Sequence, residues 1–272
     1  MSKILEKEIQ HQLCKHMNKY GLWNKDLNAY RPNHSTITAL IDVMETWTSN
    51  IDIKQQNLTV LTDLSAAFDC VKHSVLNDKL KVYKTRPKTL QLVKSYLSNR
   101  SQMVTVNGIN SGWLPTKVGV PQGSILGPIL FNIYVNELPG LPNIKCRHKL
   151  ENWGTRKELF GKRCEHCGVF IGFADDSSLI FNGTKKDNNK LANKIDYKLL
   201  EIEKFLGNNN LKMNVSKTEL LRSTTRQQLA WNKTETLKLN SLDENGKQII
   251  PNKRAKILGV VFSDNLTWAN HP

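Results

Sequence analysis

The chain has 272 residues, of which 39 are Lys or Arg and 24 are Asp or Glu, so its formal net charge is +15. This length allows one large domain or two modest ones, and the charge indicates either a polyanionic partner such as nucleic acid or simply a basic surface. No stretch approaches the roughly 18 unbroken apolar residues of a membrane span, and the first residues lack a signal-peptide core. Five cysteines, an odd number, argue against a secreted disulfide framework. We therefore expect an intracellular protein, nuclear or cytoplasmic, without a membrane partner.

The first half of the chain predicts several helices, one strand and a hairpin. Apolar residues at helical spacing predict helices at residues 2–19, from Ser35 onward, and near 74–83 and 88–98. Residues 57–63 have the composition of a strand. The Asn107-Gly108 dipeptide supplies the positive φ angles of a tight turn, so a hairpin is expected around it.

The second half of the chain mixes strands with helices. A Pro- and Gly-rich loop after Gly119 leads into a segment that ends near Leu138 and is apolar nearly all round, which predicts a buried helix. Residues 169–181 predict a β-hairpin with its tight turn at Asp175-Asp176. The elements expected after it are a helix near 188–207, strands near 211–222 and 257–262, and a polar loop at 223–236. This mixture predicts the fold class α+β.

Three carboxylates stand at the ends of apolar strands. Asp63 closes the first strand, and Asp175 and Asp176 interrupt the apolar hairpin. Because an isolated buried carboxylate is unfavourable, the adjacent pair indicates a turn open to water, a cation partner or a metal. Two strands that lie side by side can aim such carboxylates at one point, which suits Mg²⁺ and its preference for oxygen ligands. Two such ions about 4 Å apart can activate an attacking hydroxyl and stabilise the leaving oxygen in phosphoryl transfer.

Five motifs follow one another along the chain. They are LTDLSAAFD at 61–69, VGVPQGSILG at 118–127, FADD at 173–176, LKMNVSKTE at 211–219 and KILGVVF at 256–262. Together with YRPNHSTITAL at 30–40, this series resembles the reverse transcriptases of non-LTR retrotransposons of the LINE and jockey type. The resemblance implies an RNA-directed DNA polymerase, a nucleotidyltransferase with an RNA template, a DNA primer and dNTPs as partners. It also implies a polymerase palm, in which an antiparallel sheet packs on helices.

The same resemblance assigns roles to individual residues. The matches to metal-binding and catalytic positions are Asp63, Asp175, Asp176 and Lys217. The matches to nucleotide- or template-contacting positions are Arg31, Phe68, Pro121, Gln122 and Gly123. The three carboxylates would hold two Mg²⁺ ions, and the lysine would stabilise or protonate the leaving pyrophosphate. The Phe68 ring would clash with a ribose 2′-hydroxyl and so favour deoxynucleotides, whereas Asp69 is expected to be structural.

The resemblance also predicts how the chain is organised. Residues 1–56 are expected to form partial fingers with connecting helices, 57–144 the first part of the palm, and 169–272 its second part with a primer-grip-like hairpin. Family members have further finger strands upstream and a helical thumb downstream. We therefore expect a truncated element in which the thumb is lacking.

The remaining stretch, residues 145–168, departs from the family pattern. It forms a longer link than usual and is basic, with seven Lys and Arg against three Glu. Two cysteines separated by two residues can share a tetrahedral Zn²⁺ ion with a second pair of ligands. The candidate zinc ligands are Cys146, His148, Cys164 and Cys167. The alternatives are a surface insertion with free thiols and a gene-model artefact.

Two functions compete with the RNA-directed DNA polymerase. An RNA-templated RNA polymerase would share the palm carboxylates, although Phe68 argues against it. A catalytically inactive retroelement remnant that binds RNA through its charge is the second alternative, because the expected fingers and thumb are incomplete. Incorporation of dNTPs or rNTPs distinguishes the DNA polymerase from the RNA polymerase. Primer extension distinguishes the DNA polymerase from the inactive remnant.

Overall fold

The computed structural model describes residues 2–143, 168–184, 188–225, 227 and 249–266. The chain divides into two units, each assembled from separate stretches. The helical unit comprises Met1–Trp23, Ala66–Asn136 and Asn208–Leu211, and the sheet unit comprises the described residues of Asn24–Ser65, Glu137–Gly207 and Lys212–Pro272. The zinc candidates Cys146, His148, Cys164 and Cys167 lie outside the described residues, as does most of the polar loop at 223–236.

Helices and short strands alternate along the chain. The helices are α1 (Ser2–Lys19), α2 (Thr36–Asp52), α3 (His73–Val82), α4 (Pro87–Leu97), α5 (Leu126–Val135) and α6 (Asn188–Asn208). The strands are β1 (Gln56–Thr62), β2 (Arg100–Gln102), β3 (Thr105–Val106), β4 (Ile109–Asn110), β5 (Leu114–Thr116), β6 (Val169–Phe173), β7 (Asp176–Gly183), β8 (Glu219–Ser223), β9 (Pro251–Asn252), β10 (Arg254–Ile257) and β11 (Val260–Ser263). The predicted helices are all present, and the predicted α+β class is confirmed.

The sheet unit contains a five-stranded sheet with the strand order β6-β7-β1-β8-β9. Strand β1 lies at its centre and pairs antiparallel with both β7 and β8, while β9 pairs parallel with β8. Almost every residue of β1 is buried, which fits its run of Leu, Thr and Val. The registers on its two sides, Thr62 opposite Ser177 and Leu61 opposite Glu219, determine which residues meet at the end of the sheet.

Helix α2 packs its apolar side against this sheet. It begins with a capping box in which the Ser35 hydroxyl accepts a hydrogen bond from the Thr38 backbone N–H and the Thr38 hydroxyl accepts one from the Ser35 N–H. Further along, the fully buried Trp47 donates its indole N–H to the Thr59 hydroxyl at 2.9 Å. The same indole meets the Phe262 ring edge-on at 5.3 Å. These contacts join α2, β1 and β11 into one core.

The helical unit is organised around α5, and nine of the ten residues of this helix are buried, as its apolar sequence predicts. The C-terminal end of α5 is held by the buried Lys79, whose ammonium donates to the Tyr134 carbonyl at 2.6 Å. The predicted Asn-Gly turn links β3 to β4, with φ of +50° at Asn107 and +78° at Gly108. None of the helices in the described ranges has both the length and the apolar character needed to cross a membrane.

Residues 254–263 form a hairpin in the sheet unit. Strands β10 and β11 pair antiparallel, and the two residues between them, Leu258 and Gly259, have φ of +48° and +92°. Positive φ at both central positions is the geometry of a two-residue hairpin turn. The sequence pattern alone predicted only a strand near 257–262, because the glycine that marks the turn lies inside a continuous apolar run.

Candidate active site

The FADD segment forms the tight turn between β6 and β7. The two turn residues are Ala174 and Asp175, and Asp176 already pairs with Phe173 as the first residue of β7. The predicted turn at Asp175-Asp176 was therefore wrong by one residue. Ala174 has a φ of +57°, in the left-handed region that disfavours residues with a Cβ. The turn is therefore strained at Ala174, directly before the adjacent carboxylates of Asp175 and Asp176.

The register of the sheet brings Asp63 to the same end as this turn. Thr62 lies opposite Ser177 in the antiparallel pairing of β1 and β7. Continuing the same register by one residue leads to Asp63, which directly follows β1, and to Asp176. Both residues line a cavity of about 570 Å³. Its other polar and turn residues include Ser177, Ser178, Ser216, Lys217, Glu219, Lys256 and Gly259. The tip of the β10–β11 hairpin, Asp63 and Asp176 therefore share one cavity.

Lys217 enters this cavity from the single helical turn at Val215–Lys217. Its ammonium donates to the Asp63 carboxylate, with 2.8 Å between Nζ and Oδ2. The backbone supports the pair, because the Asn214 N–H donates to the Asp63 carbonyl at 2.8 Å. Lys217 is thereby held beside Asp63, which lies 154 positions earlier in the chain.

The charges in the cavity perturb one another. The pKa of Asp176 is raised above its ordinary value, first by partial burial, then by the negative charges of Asp175 and Asp63, and Lys217 partly opposes this shift. The pKa of Lys217 is raised mainly by its hydrogen bond to Asp63 and by the charge of that carboxylate. The three carboxylates therefore repel one another, and a cation is the partner that relieves the repulsion.

Tyr30 is a neighbour of this cluster that the sequence motifs did not single out. The pKa of its phenol is raised by burial and, to a smaller extent, by the charge of Asp175. Arg31, which the family resemblance suggested, instead donates to the backbone carbonyls of Asn24 and Leu27 at 2.7 and 2.8 Å. No sequence signal separated the two, because both belong to the same YRPNHST segment.

In the helical unit, the Pro121-Gln122-Gly123 loop precedes α5. The Gln122 amide donates to both carboxylate oxygens of Asp69, at 3.1 and 3.3 Å. Gly123 has a φ of +75°, a conformation that favours glycine. The loop residues predicted for nucleotide or template binding are thus held in one turn.

Two side chains fix the start of α5 beneath this loop. The Ser124 hydroxyl accepts a hydrogen bond from the Gly127 N–H at 2.9 Å. The Glu6 carboxylate of α1 accepts from the N–H groups of Ile125 and Leu126 at 2.9 and 3.3 Å. A carboxylate is favourable at a helix N-terminus because it meets unpaired N–H groups and the positive end of the helix dipole. Glu6 was not predicted from the sequence, since nothing local links it to a loop 119 residues away.

Phe68 lies in the same unit, after the left-handed residue Ala66. Its ring is half-buried and packs on Phe131 of α5 with 4.6 Å between the ring centroids. The Phe68 carbonyl also accepts a hydrogen bond from the Val120 N–H at 2.9 Å. One face of the ring is therefore held by α5, and its backbone is tied to the loop that carries Gln122.

Comparison with known proteins decides the family. A family model described as reverse transcriptase (RNA-dependent DNA polymerase) matches residues 1–262, nearly the whole chain. The chain belongs to the reverse transcriptase family. The predicted kinship with non-LTR elements is confirmed by the similar proteins described next.

The similar proteins include polymerases of Drosophila transposable elements. The probable RNA-directed DNA polymerase from transposon BS of Drosophila melanogaster is 26% identical over 276 residues, which cover 100% of this chain and 27% of the relative. The RNA-directed DNA polymerase from mobile element jockey of the same species is 32% identical over 145 residues, covering 51% of this chain and 15% of the relative. The chain thus spans about a quarter of the length of the BS relative.

The solved structures with a similar fold include telomerases. The apo telomerase of Candida tropicalis, truncated from its C-terminal domain, superposes with a TM-score of 0.56 at 14% identity, over 96% of this chain and 44% of that one. The telomerase of Candida albicans in complex with a fragment of telomeric RNA gives the same TM-score at 13% identity, over 97% of this chain and 36% of that one. These likenesses establish the fold alone.

Reverse transcriptases use divalent metal ions and an RNA template. Within the described ranges, no three His, Cys, Asp or Glu side chains are close enough to hold an ion as they stand. The carboxylates at the end of the five-stranded sheet nevertheless suit a divalent metal ion, because Asp63, Asp175 and Asp176 offer only oxygen atoms as ligands and repel one another. The Lys217 ammonium lies against Asp63 as a cation that a metal ion can replace.

Gly119 allows the reverse transcriptase loop to approach the Phe68–Asp69 segment closely. A Cβ added at Gly119 would lie 2.9 Å from the Asp69 carbonyl oxygen, and the residue has a φ of +88°. We expect Gly119→Ala to lower the free energy of unfolding by about 2–4 kcal/mol, the sum of left-handed strain and overpacking. Urea denaturation measures the change. Gly112→Ala is the control, because an added Cβ there meets nothing within 4 Å, and an equal loss in both variants would contradict the prediction.

Proposed function

We propose that this chain carries the polymerase site of a non-LTR-type reverse transcriptase. The reaction is the transfer of a deoxynucleotidyl group from a dNTP to the 3′-hydroxyl of a DNA primer, directed by an RNA template. The primer hydroxyl loses its proton and its oxygen forms a bond to the α-phosphorus. The bond from that phosphorus to the bridging oxygen breaks, and pyrophosphate leaves with the electron pair.

The observation that carries this proposal is the meeting of acidic and basic groups in one cavity. Asp63 and Asp176 line it together with Lys217, and the pKa of Asp176 is raised first by burial and then by the charges of Asp175 and Asp63. Repelling carboxylates at the end of a rigid sheet are suited to bind Mg²⁺, and two ions supply activation of the hydroxyl and stabilisation of the leaving oxygen. The protein fixes the relative positions of the Asp63 and Asp176 carboxylates through the pairing register of β1 and β7.

The other polar groups orient the substrates in this proposal. Lys217 offers positive charge to the triphosphate or the leaving pyrophosphate, and Lys256 of β10 lines the same cavity as a second cation. In the helical unit, the bond from Gln122 to Asp69 leaves the amide oxygen of Gln122 as an acceptor for the nucleotide or template. Arg31 is less suited to contact the nucleotide or template, since its guanidinium already donates hydrogen bonds to two backbone carbonyls.

Phe68 is proposed to select the sugar. We expect Phe68→Val to lower the ratio of kcat/KM for dNTP over the matching rNTP by on the order of 10-fold, because a smaller side chain leaves room for the 2′-hydroxyl. Single-nucleotide insertion with paired dNTP and rNTP measures the ratio, and kcat/KM for dNTP alone reports general damage. An unchanged ratio would assign Phe68 to packing against Phe131 only.

Primer extension on an RNA template tests the function as a whole. The parent chain is expected to add dNTPs in the presence of Mg²⁺, to stop when EDTA is added, and to use rNTPs poorly. Asp175→Asn should abolish extension, and Glu45→Gln on the exposed side of α2 makes the same change of charge in the same unit as a control. Extension that survives Asp175→Asn would overturn the metal assignment. Equal use of rNTPs would favour the RNA polymerase, and RNA binding without extension by any variant would favour the inactive remnant.

A further inference from the structure

A second cavity with a strongly basic lining lies in the helical unit, apart from the residues assigned to the reaction. It has a volume of about 600 Å³ and lies between the C-terminal end of α1 and the connection from α3 to α4. We call it the basic groove. Its defining residues are Lys15, Lys19, Tyr20, Lys84, Thr85 and Arg86.

The cations of the basic groove have no anionic partner within the part of the chain that the structure describes. Among the described residues, no Asp or Glu lines the groove, and none of its three lysines or Arg86 forms an ion pair. Ion pairs among other described residues include Lys81 with Asp78, Lys198 with Glu201 and Lys217 with Asp63, and none of these lies at this groove. Four like charges around one groove repel one another, and a bound anion removes that repulsion.

The N-terminus of α4 contributes a second feature that points to an anion. Arg86 is the N-cap residue, Pro87 follows it in the first turn, and no side chain caps the exposed N–H groups of this 11-residue helix. The adjacent Thr85 is only 8% exposed, and its hydroxyl has no hydrogen-bond partner. Because buried hydroxyls are normally hydrogen-bonded, a donor left unpaired on the wall of a basic groove indicates a missing acceptor. A phosphate oxygen is an acceptor of the kind that is missing here.

Tyr20 adds a flat aromatic surface to the same groove. Its side chain is 46% exposed, and its ring lies 4.9 Å from the His16 ring. The His16 ring is itself fixed, since its Nε2 donates to the Tyr83 carbonyl at 2.7 Å. Lys19 lies over the tyrosine ring, with Nζ 5.5 Å from the centroid. An exposed aromatic ring among cations is the arrangement with which proteins stack a base and hold its phosphate.

We propose that the basic groove binds one strand of single-stranded nucleic acid, with a phosphate at the N-terminus of α4 and a base on Tyr20. The phosphate accepts hydrogen bonds from the Thr85 hydroxyl and the first-turn N–H groups of α4, and the four cations neutralise it and its neighbours. The site is separate from the proposed polymerase reaction, because none of its residues has a role there. Through this groove the chain binds a nucleic-acid strand independently of the cavity that contains Asp63 and Asp176.

Salt-dependent binding of a fluorescent single-stranded RNA oligomer tests the groove. We expect Lys15→Gln with Lys19→Gln to reduce the slope of log K against log salt by about 1.4, at about 0.7 per lost phosphate contact on a single strand. The control is Lys3→Gln with Lys7→Gln, which removes the same charge from exposed positions of the same helix. Equal slopes for the two double variants would overturn the proposal.

Thr85→Val separates a ligand contact from a structural one. Removing a buried hydroxyl that has no partner should leave the melting temperature unchanged or raise it, while the affinity for RNA falls by about 5-fold through loss of one hydrogen bond. Tyr20→Leu should weaken binding by about 10-fold without changing the salt slope, because it removes stacking and no charge. Unchanged affinity in both variants would contradict the proposed site.

A competition experiment distinguishes a nucleic-acid strand from free phosphate. The parent chain is titrated with labelled RNA in the presence of inorganic phosphate at constant ionic strength. We expect phosphate to compete only at concentrations far above those of an unlabelled oligomer. If phosphate alone displaces the RNA as well as the oligomer does, the groove is an anion site and the proposal of a bound strand is wrong.

Discussion

Asp176→Asn is expected to slow primer extension by about 10³-fold and, at neutral pH, to leave the melting temperature equal to or above that of the parent chain. The loss of rate follows from removal of one oxygen ligand and one negative charge from the proposed metal site. The gain in stability follows from the raised pKa of Asp176, whose ionised form is disfavoured in the folded chain by burial and by Asp175 and Asp63.

The pH dependence of that gain has a definite sign. A carboxyl whose folded pKa is raised binds its proton more tightly in the folded chain than in the unfolded one. Below the ordinary pKa of Asp, both states are protonated and Asp176 adds no penalty. As pH rises through the window from the ordinary pKa to the raised one, the folded chain loses stability relative to the unfolded chain. The advantage of Asp176→Asn should therefore develop across this window and persist at neutral pH.

Thermal unfolding with and without Mg²⁺ completes the test. The ion should raise the melting temperature of the parent chain, because a ligand that binds only the folded state stabilises it, and should raise that of Asp176→Asn less. Glu45→Gln is the control for the change of charge and should respond to Mg²⁺ as the parent does. A large loss of melting temperature in Asp176→Asn would show instead that this carboxylate serves the fold.

The parts of this site that the sequence predicted are those with a local signal. Asp63 follows an apolar strand and FADD interrupts an apolar hairpin, so both strand ends could be recognised before their pairing was known. The position of the turn was missed by one residue, because Ala-Asp and Asp-Asp are both plausible two-residue turns. The tertiary register decides between them, since a shift by one residue would move Ile180 of β7 out of the core that it shares with Trp47.

Long-range contacts explain what the sequence did not predict. The hydrogen bond from Lys217 to Asp63 and the bonds from the start of α5 to Glu6 join residues more than 100 positions apart. Neither has a periodicity or spacing that a local pattern can reveal. The unpaired cations of the basic groove were visible in the sequence only as part of a +15 charge spread along the chain. Folding of α1 against the α3–α4 connection is what concentrates them.

Lys217→Gln is expected to slow primer extension by about 10²-fold with little change in melting temperature, because the lysine is largely exposed and its pair with Asp63 lies at the surface. The variant should also shift the acid side of the pH–rate profile to higher pH, since Lys217 is the group that lowers the pKa of Asp176. Lys212→Gln, an exposed lysine five residues earlier, is the matched control and should leave both the rate and the profile unchanged.

Lys217→Arg separates positive charge from proton donation. The hydrogen bond to Asp63 raises the pKa of Lys217, so the ammonium holds its proton tightly and is better suited to stabilise the charge of the leaving pyrophosphate than to release a proton. Arginine keeps the charge and does not release a proton at working pH. We therefore expect Lys217→Arg to recover extension to within about 5-fold of the parent and to restore the acid side of the profile. If the arginine variant is as slow as Lys217→Gln, the lysine acts as the proton donor, and its pairing with Asp63 must be broken when the metal ions and the nucleotide bind.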